Sequence, residues 1–261
     1  MAASRPIFRA AGWELVEDAV QPRRRDGGEV DKGAVDRAVR RARARVRDIA
    51  LSNNLDWFVT LTLDGTRIDR HDDAAVVRRM GQWADNQVRR RGLRYVLVPE
   101  RHKDGAVHWH GLVGWGPGGP PGGVLADSGT VVLAGGGRPR KPRTAAQRAV
   151  WLDGGGQVVY NLTPWRLGFS TAMAVRGDYL AAVGYVCKYI GKGMGTAQGG
   201  RVGGRWYYSG GQLQGPEVLL VDMSVEDVEA LGGYGYEVED AGLRMAVWRG
   251  RVEDYQRELT L

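Results

Sequence analysis

Three of the chain's four histidines, His102, His108 and His110, fall within nine positions, and two of them flank a tryptophan as His108-Trp109-His110. Side chains alternate along an extended segment, so His108 and His110 project from one face and Trp109 from the other. Two imidazoles about 7 Å apart on one sheet face can share a metal ion. Glu100, eight residues before His108, joins them if the hairpin register permits. A two-residue Asp104-Gly105 turn sets Glu100 opposite Trp109, on the wrong face. A three-residue Lys103-Asp104-Gly105 loop, with Gly105 left-handed in a bulge, sets it opposite His108. Both turns suit the sequence; the three-residue loop is the expected one, and it leaves the Cβ atoms about 4.5–5.5 Å apart. Two nitrogens and one carboxylate with open positions suit Mn²⁺, Mg²⁺, Fe²⁺ or Zn²⁺, and a phosphate-handling role favours the hard ions Mn²⁺ and Mg²⁺. His102 shares the strand parity of Glu100 and is the alternative ligand; its plainer reading is a surface turn histidine.

A second constellation lies in residues 178–192. At 100° per residue, Val183, Val186, Cys187 and Ile190 gather on one stripe of a helix, and Tyr185, Lys188, Tyr189 and Lys192 on the opposite one. Cys187 on the apolar stripe reads as a structural thiol. Two tyrosines and two lysines on one face make an ordinary amphipathic surface, or they make chemistry. A phenol with a pKa near 10 benefits, as a nucleophile, from cations one turn away.

These residues need a scaffold. Trp57–Leu63 is rich in β-formers and reads as a central strand. A helix is expected over 72–91 with Val76, Val77, Met80, Trp83, Ala84 and Val88 inward, then hairpin strands Arg94–His102 and Ala106–Gly114. Further strands are expected at 157–162, 167–175 and 205–209, and a helix at 177–192. An earlier helix, capped by Asp31, carries Val35, Ala38, Val39, Ala42, Val46 and Ile49 at the 3.6 period. Arginines 37, 40, 41, 43, 45 and 47 cover its remaining surface, either as a solvated face or as phosphate contacts. The first thirty residues read as irregular, with a basic turn at 22–28. Residues 114–156 read as a flexible Gly/Pro-rich insertion, and 213–261 as a mostly helical extension. The expected organisation is therefore 1–54, a basic extension and helix packed on the core; 55–212, the central domain; and 213–261. The fold class is α+β, a central antiparallel sheet with flanking helices.

Composition sets the outer bounds. A chain of 261 residues with 43% hydrophobic and 26% charged residues can bury a core and is neither collagen-like nor wholly disordered. One cysteine excludes an internal disulfide framework and a Cys-only zinc site. No apolar run reaches the roughly 20 residues of a membrane span, so a location in a reducing cytoplasm is expected. A net charge of +7 points to an anionic partner such as nucleic acid.

Taken together, the motifs resemble those of HUH endonucleases, in particular the two-tyrosine rolling-circle replication initiators of single-stranded DNA phages and plasmids. Phe58-Val59-Thr60-Leu61-Thr62 resembles the first motif, Glu100 with His108-Trp109-His110 the second, and Tyr185 to Lys192 the third. Arg205-Trp206-Tyr207-Tyr208-Ser209 is similar to a stretch that follows the tyrosine helix in such proteins. The resemblance covers about residues 55–210 and implies the RRM-like HUH nuclease fold. It implies site-specific nicking and joining of single-stranded or hairpin origin DNA, through a 5′-phosphotyrosyl link and a free 3′-OH. Tyr185 and Tyr189 are then the nucleophiles, with Lys188 and Lys192 offsetting charge. Mn²⁺ or Mg²⁺ sits on Glu100, His108 and His110, and Thr60, Thr62, Arg40, Arg41, Arg43 and Arg205 contact DNA. The sequence has no Gly-x-x-x-x-Gly-Lys-Ser/Thr loop, so a host helicase and polymerase would act with it in a bacterial cytoplasm. Rival readings are a related transposase or relaxase, a non-catalytic DNA-binding regulator, and a zinc hydrolase using Glu100 as base.

Overall fold

The structure, a computed structural model, describes residues 7–15, 32–53, 55–192, 200–216, 218–222, 224–230, 234–238 and 243–251. Asp31 and the basic turn at 22–28 lie outside the described residues. Strand β1 (Ile7–Leu15) and helix α1 (Lys32–Ser52) come first, followed by β2 (Trp57–Leu63) and α2 (Asp73–Arg91). The hairpin β3 (Arg94–Arg101) and β4 (Val107–Gly114) precedes β5 (Leu125–Val132) and α3 (Ala145–Asp153). Next come β6 (Gln157–Leu162), β7 (Gly168–Ala174), α4 (Tyr179–Tyr189) and β8 (Tyr208–Gly210). The last elements are β9 (Val218–Asp222), α5 (Val225–Ala230), β10 (Tyr234–Val238) and β11 (Leu243–Arg251).

A seven-stranded antiparallel sheet in the order β5-β6-β7-β2-β4-β3-β8 is flanked by helices, an α+β fold. Strand alternation divides its core into two layers. Leu61, Leu97, Trp109 and Val113 point to one face, where α2 buries Val76, Met80, Trp83 and Ala84 against them. Val96, Val98 and Leu112 point to the other, beneath Val39, Val46 and Ile49 of α1, Val183 and Val186 of α4, and Ile190 just after it. Both layers are apolar, so β4 reads as buried along its whole length. Helix α2 is punctuated as its sequence dictates. The Asp72 carboxylate accepts from the Ala75 amide at its start, and left-handed Gly92 ends it.

The smaller sheet, in the order β10-β11-β1-β9, corrects two expectations at once. The first thirty residues are not wholly irregular, because β1 lies in register with β11, Ile7 opposite Arg251 and Leu15 opposite Leu243. The described residues of the 213–261 extension, expected to be mostly helical, likewise lie mainly in strands β9, β10 and β11, with α5 as a short helix. Leu243-Arg244-Met245-Ala246 consists of good helix formers. Their strand conformation depends on a partner at the other end of the chain, which local periodicity does not show. The 114–156 segment also holds regular structure. Its strand β5 forms the sheet edge against β6, with a register shift between Asp127 and Thr130 at left-handed Gly129. Helix α3 follows, capped by Thr144. The Gly/Pro runs around these elements supply turns, and the alternating Leu125–Val132 stretch is short enough to be lost among them. The predicted strand 205–209 forms only from Tyr208 onward.

Candidate active site

The β3–β4 hairpin fixes the first part of the site. The Gly105 amide donates to the His102 carbonyl at 2.9 Å, and the His102 amide to the Ala106 carbonyl at 2.8 Å. Gly105 adopts φ 86°, which favours glycine. Residues 103–105 therefore form the three-residue loop, and Glu100 stands opposite His108. Their side chains meet on the α1/α4 face. The Nε2 atoms of His108 and His110 each lie 2.9 Å from Glu100 Oε2 and 2.8 Å from one another.

Outer contacts set the orientation of these groups. His110 Nδ1 lies 3.1 Å from Thr60 Oγ1, so a proton held on Nδ1 leaves the Nε2 lone pair facing Glu100 and His108. Thr60 is opposite His110 and Thr62 opposite His108 across the β2–β4 pair, which places both threonines beside the histidines on one sheet face. The His102 ring stacks on His108 with centroids 3.9 Å apart, outside the triad itself. Lys192 pairs with Glu100 Oε1, leaving Oε2 to the imidazoles.

Electrostatics prepare the set for a cation. Burial, with the neighbouring imidazole charge, lowers the pKa of both histidines, His110 to about 4, so both rings are neutral at pH 7. Burial works to raise the Glu100 carboxyl, but the Lys192 hydrogen bond and the nearby histidines outweigh it and hold the pKa below the ordinary value. The three ligand atoms lie within 4.8 Å of one another, and together they form a group that could hold a metal ion. Neutral imidazoles, an ionised carboxylate and a hydrogen-bonded outer partner fit a divalent cation.

The His110 shift has a consequence for stability. In EDTA, an imidazole whose folded pKa is depressed takes up its proton more readily in the unfolded chain. Stability is then full above about pH 6.5 and falls toward pH 4, by on the order of 3 kcal/mol from a shift of this size. Thermal unfolding followed between pH 7.5 and 4.5 checks this: His110→Gln should flatten the slope, and an unchanged slope would contradict it.

Helix α4 brings the second constellation to the same place. Asp178 caps it, its carboxylate accepting from the Ala181 amide at 2.9 Å. Val183, Val186, Cys187 and Ile190 are buried as the stripe predicts. Cys187 is a buried thiol whose pKa burial raises to about 11. On the other stripe the two tyrosines differ. The Tyr189 ring is 8% exposed and stacks on His110 at 4.0 Å and 16°, whereas Tyr185 is 47% exposed. The Tyr189 hydroxyl donates to the Tyr185 hydroxyl at 2.7 Å. Burial and that hydrogen bond raise the Tyr189 phenol above its ordinary range. Phe58, on the same parity of β2 as Thr60, packs edge-on to Tyr185 at 5.5 Å and alongside His110. Its strand parity was the available signal for this packing role.

The helix ends at Tyr189, earlier than the predicted Lys192, because left-handed Gly191 turns the chain. Lys192 therefore does not continue the tyrosine stripe. It folds back onto Glu100, with its ammonium 5.3 Å from the Tyr189 ring centroid. Lys188 lies 6.0 Å from the Tyr185 ring centroid.

The structure separates the arginines expected at DNA. Arg43 Nη2 donates to the Ile190 carbonyl at 2.9 Å, fastening α1 to the end of α4. Arg40 is exposed on α1. Arg41 and Arg205 line one cleft, whose lining does not include Glu100, His108 or His110.

Residues 56–194, just over half of the chain, match the model of a replication-associated protein family, the ORF2 type. The chain belongs to this replication-associated protein family. Family membership supports a replication-initiator role, with origin DNA as the partner. No curated protein and no solved structure gives a match. In this replication-associated protein, the matched span contains the triad and both tyrosines. No helix among the described residues is long and apolar enough to cross a membrane.

Proposed function

We propose that this protein nicks and rejoins single-stranded origin DNA by tyrosine attack, as a rolling-circle replication initiator. The observation that carries the reading is Tyr189 stacked on the ligand His110 and hydrogen-bonded to Tyr185. This puts two phenols beside a histidine–carboxylate group on one sheet face. Glu100, His108 and His110 would hold Mn²⁺ or Mg²⁺, which when bound supplies Lewis-acid polarisation of a scissile phosphate.

The chain's own groups do the rest. The exposed Tyr185 hydroxyl attacks phosphorus: its proton is lost, a tyrosine–phosphate bond forms, the O3′–phosphorus bond breaks and the departing O3′ takes up a proton. The products are a 5′-phosphotyrosyl enzyme and a free 3′-OH able to prime synthesis. The ester bond retains the energy for rejoining, so no nucleotide triphosphate is consumed. Tyr189 supplies a second phenol for cleaving a regenerated site while the first strand closes. Lys192 holds Glu100 ionised, and Lys188 brings positive charge to the exposed phenol. Thr60 and Thr62 flank the path of the strand. Helicase and polymerase functions belong to other proteins of the bacterial host cytoplasm in this reading.

Incubation of the protein with a randomised single-stranded DNA pool and Mn²⁺ tests it. An SDS-resistant protein–DNA band is expected. Binding without that band would leave a DNA-binding regulator, and cut DNA without it would point to hydrolysis.

A further inference from the structure

Beyond the metal-binding face, an open cleft of about 490 Å³ is lined by Arg41, Arg201, Arg205, Trp206, Tyr207 and Ser209. All three arginines are exposed, and none forms a salt bridge with a carboxylate among the described residues. The guanidinium of Arg201 lies 4.8 Å over the Trp206 ring of the cleft wall, and that of Arg205 lies 5.6 Å over Tyr208, a residue next to the lining. The lining carries three arginines and no acidic residue, a composition that favours an anion.

The Trp206 wall of the cleft and the Lys192 backbone both border Gly200. A Cβ at Gly200 would sit 2.9 Å from the Trp206 ring and 3.0 Å from the Lys192 carbonyl, so the absence of a side chain lets the residue 200 backbone lie close to both. The Lys192 side chain reaches Glu100. From the other side, α1 contributes Arg41 to the cleft, while Arg43 on the same helix ties down the Ile190 carbonyl.

We propose that this cleft binds the single-stranded DNA flank of the scissile phosphate, taking a phosphodiester on Arg41, Arg201 and Arg205 beside the aromatic wall of Trp206 and Tyr207. The inference rests on the nicking reading and adds to it a site that holds the strand away from the chemistry. Arginine forks match phosphate oxygens, and aromatic walls accept a base of any sequence, which is the composition of single-strand grooves. The cleft thus anchors DNA with little sequence preference, leaving selection of the nick to the metal-binding face.

Fluorescence anisotropy of the full chain with labelled oligothymidylate of about 20 nucleotides, in EDTA over a range of salt, tests the site. The Arg41→Ala, Arg205→Ala variant should lose about tenfold in affinity, and its salt slope should fall by about 1.4, or about 0.7 for each phosphate contact removed. A variant with the same charge change on α2, Arg89→Ala with Arg90→Ala, should bind as the unsubstituted chain does. Arg41→Glu alone, at an exposed helix position, gives an independent reading with the same expected direction. Equal binding by the cleft and α2 variants would overturn the cleft while leaving the nicking reading standing. A loss confined to duplex DNA would also overturn it. Failure of the unsubstituted chain to bind oligothymidylate at any salt would remove both readings.

Discussion

The His108→Ala, His110→Ala double variant is expected to lose DNA strand cleavage in Mn²⁺ or Mg²⁺ by about 10²–10⁴-fold, the several kcal/mol that metal-ion polarisation supplies. Glu100 Oε2 has both imidazole Nε2 atoms at 2.9 Å. Both rings are neutral at pH 7, so no proton must be displaced to free their lone pairs. Removing them leaves a single carboxylate already engaged by Lys192. Calorimetric titration with Mn²⁺ and a cleavage assay on the same preparations should show both signals vanish together. Cleavage at the original rate would take the metal out of the reaction. Glu100→Gln separates charge from shape: it keeps the side-chain volume, withdraws the anionic ligand and frees Lys192, and it should weaken Mn²⁺ binding strongly.

Replacing both tyrosines gives the second large effect. The Tyr185→Phe, Tyr189→Phe variant should form no covalent adduct, a drop of more than about 10³-fold, because no hydroxyl remains to enter the phosphodiester. Phenylalanine preserves the rings, so packing of residue 189 on His110 and of residue 185 on Phe58 is retained. Mn²⁺ affinity and single-strand binding should therefore stay near those of the unsubstituted chain. The single variants should differ. Tyr185 is exposed, whereas Tyr189 is buried and its hydroxyl is given to Tyr185. Tyr185→Phe should cost more in a first cleavage, while Tyr189→Phe should spare that step and impair strand transfer. Adduct formed by the double variant would assign the nucleophile elsewhere.

Much of this site is written locally. The His108-Trp109-His110 alternation and the position of Gly105 determine which face each side chain takes, so the triad follows once the loop length is known. The apolar stripe of α4 is equally local. Where the sequence misleads, the deciding contact is remote or a single backbone turn intervenes. Residues 243–251 consist largely of helix formers, yet they pair with residues 7–15. Lys192 fits the tyrosine stripe by counting, but left-handed Gly191 breaks the count and redirects the ammonium to Glu100. Arg43 fits a phosphate-contacting helix face, but the end of α4 brings a carbonyl to it. The cleft at Arg41 and Arg205 joins segments far apart in the chain, a juxtaposition no local pattern encodes.

Esterification of an α4 tyrosine to DNA is directly measurable in this sequence. Trypsin cuts after Lys188 and so places Tyr185 on the 177–188 peptide and Tyr189 on the 189–192 peptide. The adduct formed in Mn²⁺ with the single-stranded pool, digested with nuclease and trypsin, is read by tandem mass spectrometry. A 5′-nucleotide phosphate is expected on Tyr185 after a single turnover, with Tyr189 carrying it only when strand transfer proceeds. A nucleotide found on any residue other than these two tyrosines, or cut DNA with no modified peptide, would contradict it.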